Sequence, residues 1–211
     1  MRLDLPLMRR AVLALAVLFA VPLAATQPAR AANVAEAFVG DNIHKGLEIL
    51  NNKRLNTVQR RDQFETFLLG LVDVRRIGLF TLGQYRRTAP PEDIEAFVAA
   101  FKNYAVAAYQ SYFSKYSGQT LKVTGSTERS PTDFIVATQL NDPGSNQPPL
   151  EVDFRVRTDG GRPVLVDVSV SGIWLSLEER DQFTAFLGQN GGSIRTLIAH
   201  LSDLAVGLKS N

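Results

Sequence analysis

From Ile94 to Tyr112 the apolar residues return every three or four positions, as Ile94, Phe97, Phe101, Tyr104, Ala108 and Tyr112. That spacing is the period of one buried helical face and predicts a long, aromatic-rich helix. Phe113 and Tyr116 widen the apolar surface toward its end. Pro90-Pro91 opens the helix, because first-turn N–H groups lack intrahelical partners anyway. Glu92, Asp93 and Glu95 then sit at the positive end of its dipole. Upstream, Val34, Phe38, Ile43, Leu47 and Leu50 predict a helix over 33–52. Asn56 or Thr57 can cap a second one carrying Phe64, Phe67, Leu68, Leu71 and Val72. This helix continues, or restarts, through Val74, Ile77 and Phe80, and stops near Leu82-Gly83, where glycine supplies a left-handed position.

After Gly118 the period changes from 3.6 to 2. Residues 119–126 and 133–140 read as strands, the second with Phe134, Val136, Thr138 and Leu140 on one side. The turn-rich stretch 141–149 (NDPGSNQPP) separates them from the clearest alternation in the chain. There Val152, Phe154 and Val156 face one way and Asp153, Arg155 and Arg157 the other. Asp159-Gly160-Gly161 turns the chain, and Val164, Val166, Val168 and Val170 share one face of the return strand, with Asp167, Ser169 and Ser171 opposite. An antiparallel meander with one apolar and one wet face is the expected result. Ser176-Leu177-Glu178-Glu179 has the form of a capping box, so a short helix starts there with Phe183, Phe186 and Leu187. Gly191-Gly192-Ser193 breaks it before a final amphipathic helix carrying Ile194, Leu197, Ile198, Leu201, Leu204, Ala205 and Leu208. The predicted architecture is α+β, a single domain of about three helices, a four-stranded antiparallel curved sheet and two more helices. The helical layer packs on the sheet in an NTF2-like or cone-shaped arrangement.

The N-terminus follows a different logic. Arg2, Arg9 and Arg10 give a basic start, Ala11 to Ala25 is an apolar run of fifteen residues, and Ala29-Arg30-Ala31 is an A-x-A cleavage site. Residues 1–31 therefore read as a cleaved secretory signal peptide, the run being too short for a stable span, and 32–211 as the mature domain. Removing Arg2, Arg9, Arg10 and Arg30 takes 23 basic residues to 19, and removing Asp4 takes 21 acidic residues to 20, a net charge of −1. The basic pI thus belongs to the signal segment, and nothing in the mature charge points to nucleic acid. With no cysteine, stability must come from a packed core.

Few residues here suit catalysis. With no Cys and only His44 and His200, no cluster has metal-ligand spacing. There is no G-x-S-x-G and no P-loop. Asp153 and Asp167, read as cross-strand neighbours beside Arg155 and Arg157, are accounted for by a surface ion-pair lattice. Asp73 with Arg75 and Arg76 reads as a helix-end salt bridge or a more specific site, and Arg86-Arg87 as a solvated loop or an anion contact.

The chain resembles the periplasmic MlaC family, also known as toluene-tolerance auxiliary transport proteins, and is similar as well to the hopanoid-associated HpnM proteins. The resemblance rests on Phe64, Val72-Asp73-Val74-Arg75-Arg76-Ile77, Leu82-Gly83, Tyr85-Arg86, Thr88-Ala89-Pro90, Phe97, Phe101 and Tyr116-Ser117-Gly118. It continues in Val152-Asp153-Phe154, Val166-Asp167-Val168-Ser169-Val170-Ser171-Gly172-Ile173 and Arg180-Asp181-Gln182-Phe183. Tyr85 stands where relatives often carry tryptophan. The resemblance implies a soluble, monomeric periplasmic carrier, not an enzyme, with no cofactor beyond its phospholipid cargo. Its implied partners are an inner-membrane MCE-domain protein with its ABC transporter and an outer-membrane lipoprotein–porin complex, and its implied role is to maintain outer-membrane lipid asymmetry. A hopanoid carrier of the same fold is the alternative.

Burying an acyl chain gains about 0.8 kcal/mol per methylene, or about 11 kcal/mol for ~14 methylenes, so such a carrier needs a deep, dry slot. The apolar sheet face and the aromatic helix are suitable walls. The candidate lining is Phe64, Leu68, Val72, Ile77, Phe80, Phe101, Tyr104, Ala108, Phe134, Val136, Val152, Phe154, Val166, Val168, Val170 and Ile173. The same stripe equally makes an ordinary core, and periodicity does not choose between them. No buried cationic cage for phosphate is evident, so tails are expected inside, the headgroup in solvent, and headgroup selectivity weak. An enzyme would place titratable groups inside such a wall, whereas an envelope interaction protein would have a solid core.

Overall fold

The computed structural model describes residues 33–113 and 116–209. The proposed signal segment 1–31 and the side chains of Tyr112 and Phe113 lie outside the described residues. Helix α1 (Val34–Leu50) is capped by Asn33, whose side chain accepts from the N–H groups of Ala35 and Glu36. Helix α2 (Thr57–Leu71) starts from a reciprocal capping box between Asn56 and Gln59. The chain then breaks at Val72-Asp73 and restarts as α3 (Val74–Thr81), with the Asp73 carboxylate accepting the Arg76 N–H at 2.9 Å. Gly83 sits at φ +55 just past the end of α3, and a Cβ there would come within 2.9 Å of Thr184 Cγ2. A five-residue 3₁₀ segment (Gly83–Arg87) leads to α4 (Pro91–Phe113).

The sheet has five strands, not the four expected, in the order β1-β2-β3-β4-β5. All neighbours are antiparallel: β1 (Thr120–Ser130), β2 (Asp133–Asn141), β3 (Leu150–Arg157), β4 (Val164–Val170) and β5 (Ile173–Trp174). Strand β5 is only two residues long, so period-2 alternation has nothing to register there. A bulge between Arg155 and Val156 sets Leu165, rather than Val166, opposite Val156 and brings Val164 opposite Arg157. Asp153 faces Ser169 and Arg155 faces Asp167, so the two aspartates expected as cross-strand neighbours are diagonal to one another.

The expected wet face of β4 is also corrected. Asp167 is 7% exposed and Ser169 1%. Trp174 pairs with Ser169, and Ser176 bonds to Asp167, so the returning chain covers both. The expected capping box at Ser176 is absent. Helix α5 (Leu175–Gln189) has no side-chain cap from Trp174, and Asp167 of β4 takes the Ser176 N–H instead at 3.0 Å. Helix α6 (Ile194–Lys209) closes the chain.

The hydrophobic core falls into two clusters. A helical core holds Leu82, Phe97, Ala100 and Phe101 against Phe183, Leu187, Ile194, Leu197 and Leu201. A sheet core holds Ala35 and Val39 of α1 against Phe134, Val136, Val156 and Leu165. Helix α1 therefore lies on the inner face of the sheet, while α4 packs chiefly along α6.

Candidate functional site

The predicted lining residues distribute unevenly over this framework. Phe101 belongs to the helical core, stacked on Phe97 at 5.9 Å and edge-on to Phe183 at 6.3 Å. Phe134 and Val136 belong to the sheet core. Ile77 and Tyr104 sit at the margin of the first cluster, Val72 and Phe154 at the margin of the second. Seven others lie in neither cluster: Phe64, Val152 and Val166 are buried, while Leu68, Ala108, Val168 and Val170 keep partial exposure. The β3–β4 register places Val152 opposite Val170 and Phe154 opposite Val168, so these four share the inner face of the sheet. Two residues stand apart. Phe80 lies under the Arg180 guanidinium, 5.0 Å from the ring centroid, and Ile173 is 59% exposed on β5.

The aromatic stripe of α4 divides. Its first half, Phe97 and Phe101, is ordinary core; Tyr104 and Ala108 continue past it.

Sequence reasoning missed one polar group in this region. Glu179 of α5 accepts a 2.8 Å hydrogen bond from the Tyr104 hydroxyl, while its Oε2 is closed to water and has no partner. Burial raises its carboxyl above the usual range, opposed by the Tyr104 bond and aided by nearby Glu178. The signal was legible in principle: Glu179 precedes Phe183 by four positions, which puts both on one side of the helix.

A polar cleft of about 360 Å³ opens elsewhere, lined by Val72, Asp73, Val74, Arg76, Asp159, Gly160, Arg162 and Val164. Its charges are already engaged. Arg76 holds Asp159 through two bonds of 3.1 and 3.0 Å, and Arg162 donates to the Gly70 carbonyl at 3.1 Å. Arg76 and Arg157 together hold the Asp159 carboxyl well below the usual carboxylate range. Arg155 grips Asp133 at 3.0 and 2.8 Å and likewise lowers its carboxyl. Arg75 is paired with Glu95 at 2.7 and 2.8 Å, so the Asp73-Arg75-Arg76 cluster is a helix cap with two outgoing ion pairs. His44 meets Glu48 at the surface, and His200 stacks on Phe186 at 4.5 Å. Among the described residues no three metal-binding side chains are grouped, and no helix is long and apolar enough to cross a membrane.

Helices packed with a curved five-stranded antiparallel sheet define an α+β protein. A family model described as MlaC protein matches residues 41–203, and the chain belongs to the MlaC family. Its fold is similar to that of a phospholipid-binding protein from Ralstonia solanacearum, solved in complex with a phospholipid. That match has a TM-score of 0.72 and 22% identity, and covers 82% of this chain and 98% of the other.

Proposed function

We propose that this protein is a soluble periplasmic lipid carrier, not an enzyme, that holds phospholipid acyl chains between the helical layer and the inner face of the sheet. The observation that carries the reading is the apolar group Phe64, Leu68, Ala108, Val152, Val168 and Val170, which belongs to neither core. Membership of the MlaC family and the phospholipid in the Ralstonia complex support it. Hydrocarbon in that seam would gain about 0.8 kcal/mol per methylene, enough for stable retention in water. The lining residues named from the sequence are proposed as the wall, with Phe101, Phe134 and Val136 as the core behind it and Phe80 and Ile173 at its periphery. In this role the protein acts as a monomer and needs no cofactor. It exchanges cargo between an outer-membrane lipoprotein–porin complex and an inner-membrane MCE-domain protein with its ABC transporter, and so maintains outer-membrane lipid asymmetry.

Native mass spectrometry with lipid extraction, on protein purified from the periplasm, tests this. A co-purifying two-chain phospholipid supports the reading. A hopanoid would redirect it to that cargo, and protein that neither retains nor takes up lipid would end it.

A further inference from the structure

The turn between α1 and α2 breaks the charge pattern of the rest of the chain. Residues 53–61 (KRLNTVQRR) hold Lys53, Arg54, Arg60 and Arg61 and no carboxylate. The rest of 32–211 has 15 basic residues against 20 acidic ones, so a turn of +4 sits on a body of −5. Elsewhere arginines meet carboxylates, as Arg75 does Glu95, Arg76 Asp159, Arg155 Asp133 and Arg195 Asp93. Lys53 and Arg54 are exposed, and neither has an ion pair among the described residues. Arg60 turns its guanidinium onto the Asn52 and Leu55 carbonyls at 3.5 and 3.2 Å, which ties the turn together and leaves its charge unmatched. Arg61 alone of the four is paired, with Asp62 at 3.3 Å. The carboxylates on either side, Glu48 and Glu65, meet His44 and Gln110 instead. From Lys53 to Arg61 only Leu55 and Arg60 are not exposed. Val58, 55% exposed, lies three positions before Arg61 on the same side of α2.

We propose that this turn is a docking surface for an anionic phospholipid bilayer. Unmatched cations beside an exposed aliphatic side chain suit a charged membrane surface: the ammonium and guanidinium groups meet the phosphate plane, and Val58 enters the headgroup boundary. A turn exposed along its length needs no groove in its partner, which fits a broad field of negative charge. The −5 body is repelled by the same field, so electrostatics turns this end of the molecule toward the bilayer. Helix α2 also carries Phe64 and Leu68 of the proposed wall, and docking through its first turn brings them to the lipid. The proposal goes beyond the carrier reading and does not depend on it.

Co-sedimentation with vesicles tests it. Protein purified from the periplasm is mixed with vesicles of phosphatidylcholine alone, or of phosphatidylcholine and phosphatidylglycerol in equal amounts. Wild-type protein is expected to pellet with the mixed vesicles at low salt, to stay in solution with phosphatidylcholine, and to be released at 1 M salt, where the Debye length falls to about 3 Å. Lys53→Gln combined with Arg54→Gln is expected to weaken binding about thirtyfold, the usual worth of two cations at an anionic surface. Both side chains are exposed, and the Arg54 backbone N–H keeps its bond to Asn52, so the fold persists. Lys102→Gln combined with Lys122→Gln removes the same charge from exposed positions on α4 and β1 and is expected to weaken binding less than about threefold. Equal losses in the two double variants overturn the proposal, because net charge alone would then act. Wild-type protein that ignores phosphatidylglycerol also overturns it and leaves the turn to an acidic protein face. Lipid extracted from the purified protein is read separately: its absence ends the carrier reading and leaves the docking result standing.

Discussion

Asp167 of β4 holds Ser176 of α5 by two hydrogen bonds: Oδ2 accepts the Ser176 hydroxyl at 2.5 Å and Oδ1 its backbone N–H at 3.0 Å. A strand carboxylate thus satisfies a first-turn helix N–H that no N-cap side chain reaches. Asp167→Ala is expected to destabilise the protein by about 1–2 kcal/mol, the usual worth of a lost cap. Urea unfolding followed by circular dichroism measures it, and an unchanged midpoint would show that water replaces the carboxylate without loss.

Asp133 is 6% exposed and receives both arms of Arg155, with Arg157 at 3.6 Å. Asp133→Asn leaves the Arg155 guanidinium without its paired carboxylate, while Arg157 keeps Asp159, and is expected to cost about 2 kcal/mol. Because the native carboxyl titrates below its ordinary range, its contribution is complete above that range and fades as pH falls through the lowered value. The difference between wild type and variant, measured by thermal melts, should therefore shrink below about pH 4.

Glu179 has the opposite sign. Burial raises its carboxyl, so the folded state binds its proton more tightly than the unfolded chain does. Stability from this group is complete at low pH and is lost as pH rises through the raised value. Glu179→Gln keeps an acceptor for Tyr104 and removes the charge. Its melting temperature is expected to exceed that of the wild type at pH 8, with the gap closing toward pH 4. A gap independent of pH would mean that the carboxyl is not desolvated in solution.

Val168 and Ile173 were both expected as wall residues, and their different exposure separates them. Val168 shares the inner sheet face with Phe154, whereas Ile173 is 59% exposed. Val168→Glu is expected to abolish retention of lipid by folded protein, because a charge would be placed against the hydrocarbon. Ile173→Glu is expected to retain much more. Extracted lipid per mole of protein is the readout, and full occupancy in Val168→Glu would remove that residue from the wall.

Local chemistry was legible along most of the chain. Asn56 with Gln59, Gly83 at its left-handed position, Pro91 in the first turn of α4 and the alternation of β2 to β4 each work within a few residues. The errors lie where a distant segment intervenes. Ser176 looked like a helix cap by its spacing to Glu179, but a carboxylate nine positions earlier took its hydroxyl. Val164 looked in phase with Val166, Val168 and Val170, but the bulge shifts the register by one residue and exchanges faces. For the candidate site, the sequence pointed to the apolar wall but could not divide it into core and seam, because Phe101 and Ala108 have the same helical phase. Only Phe183 arriving from α5 makes the first a core residue.

By itself, then, the sequence determined the family and every element but the two-residue β5, in order, because helix periods, caps and turn glycines are set by neighbours along the chain. Tertiary structure decided which polar groups are covered and which apolar ones are not. Asp167 and Ser169 sit at positions whose local pattern reads as solvent-facing, and they are buried because β5 and the start of α5 return over β4. Desolvation of a side chain is a property of everything packed around it, and no local period encodes that.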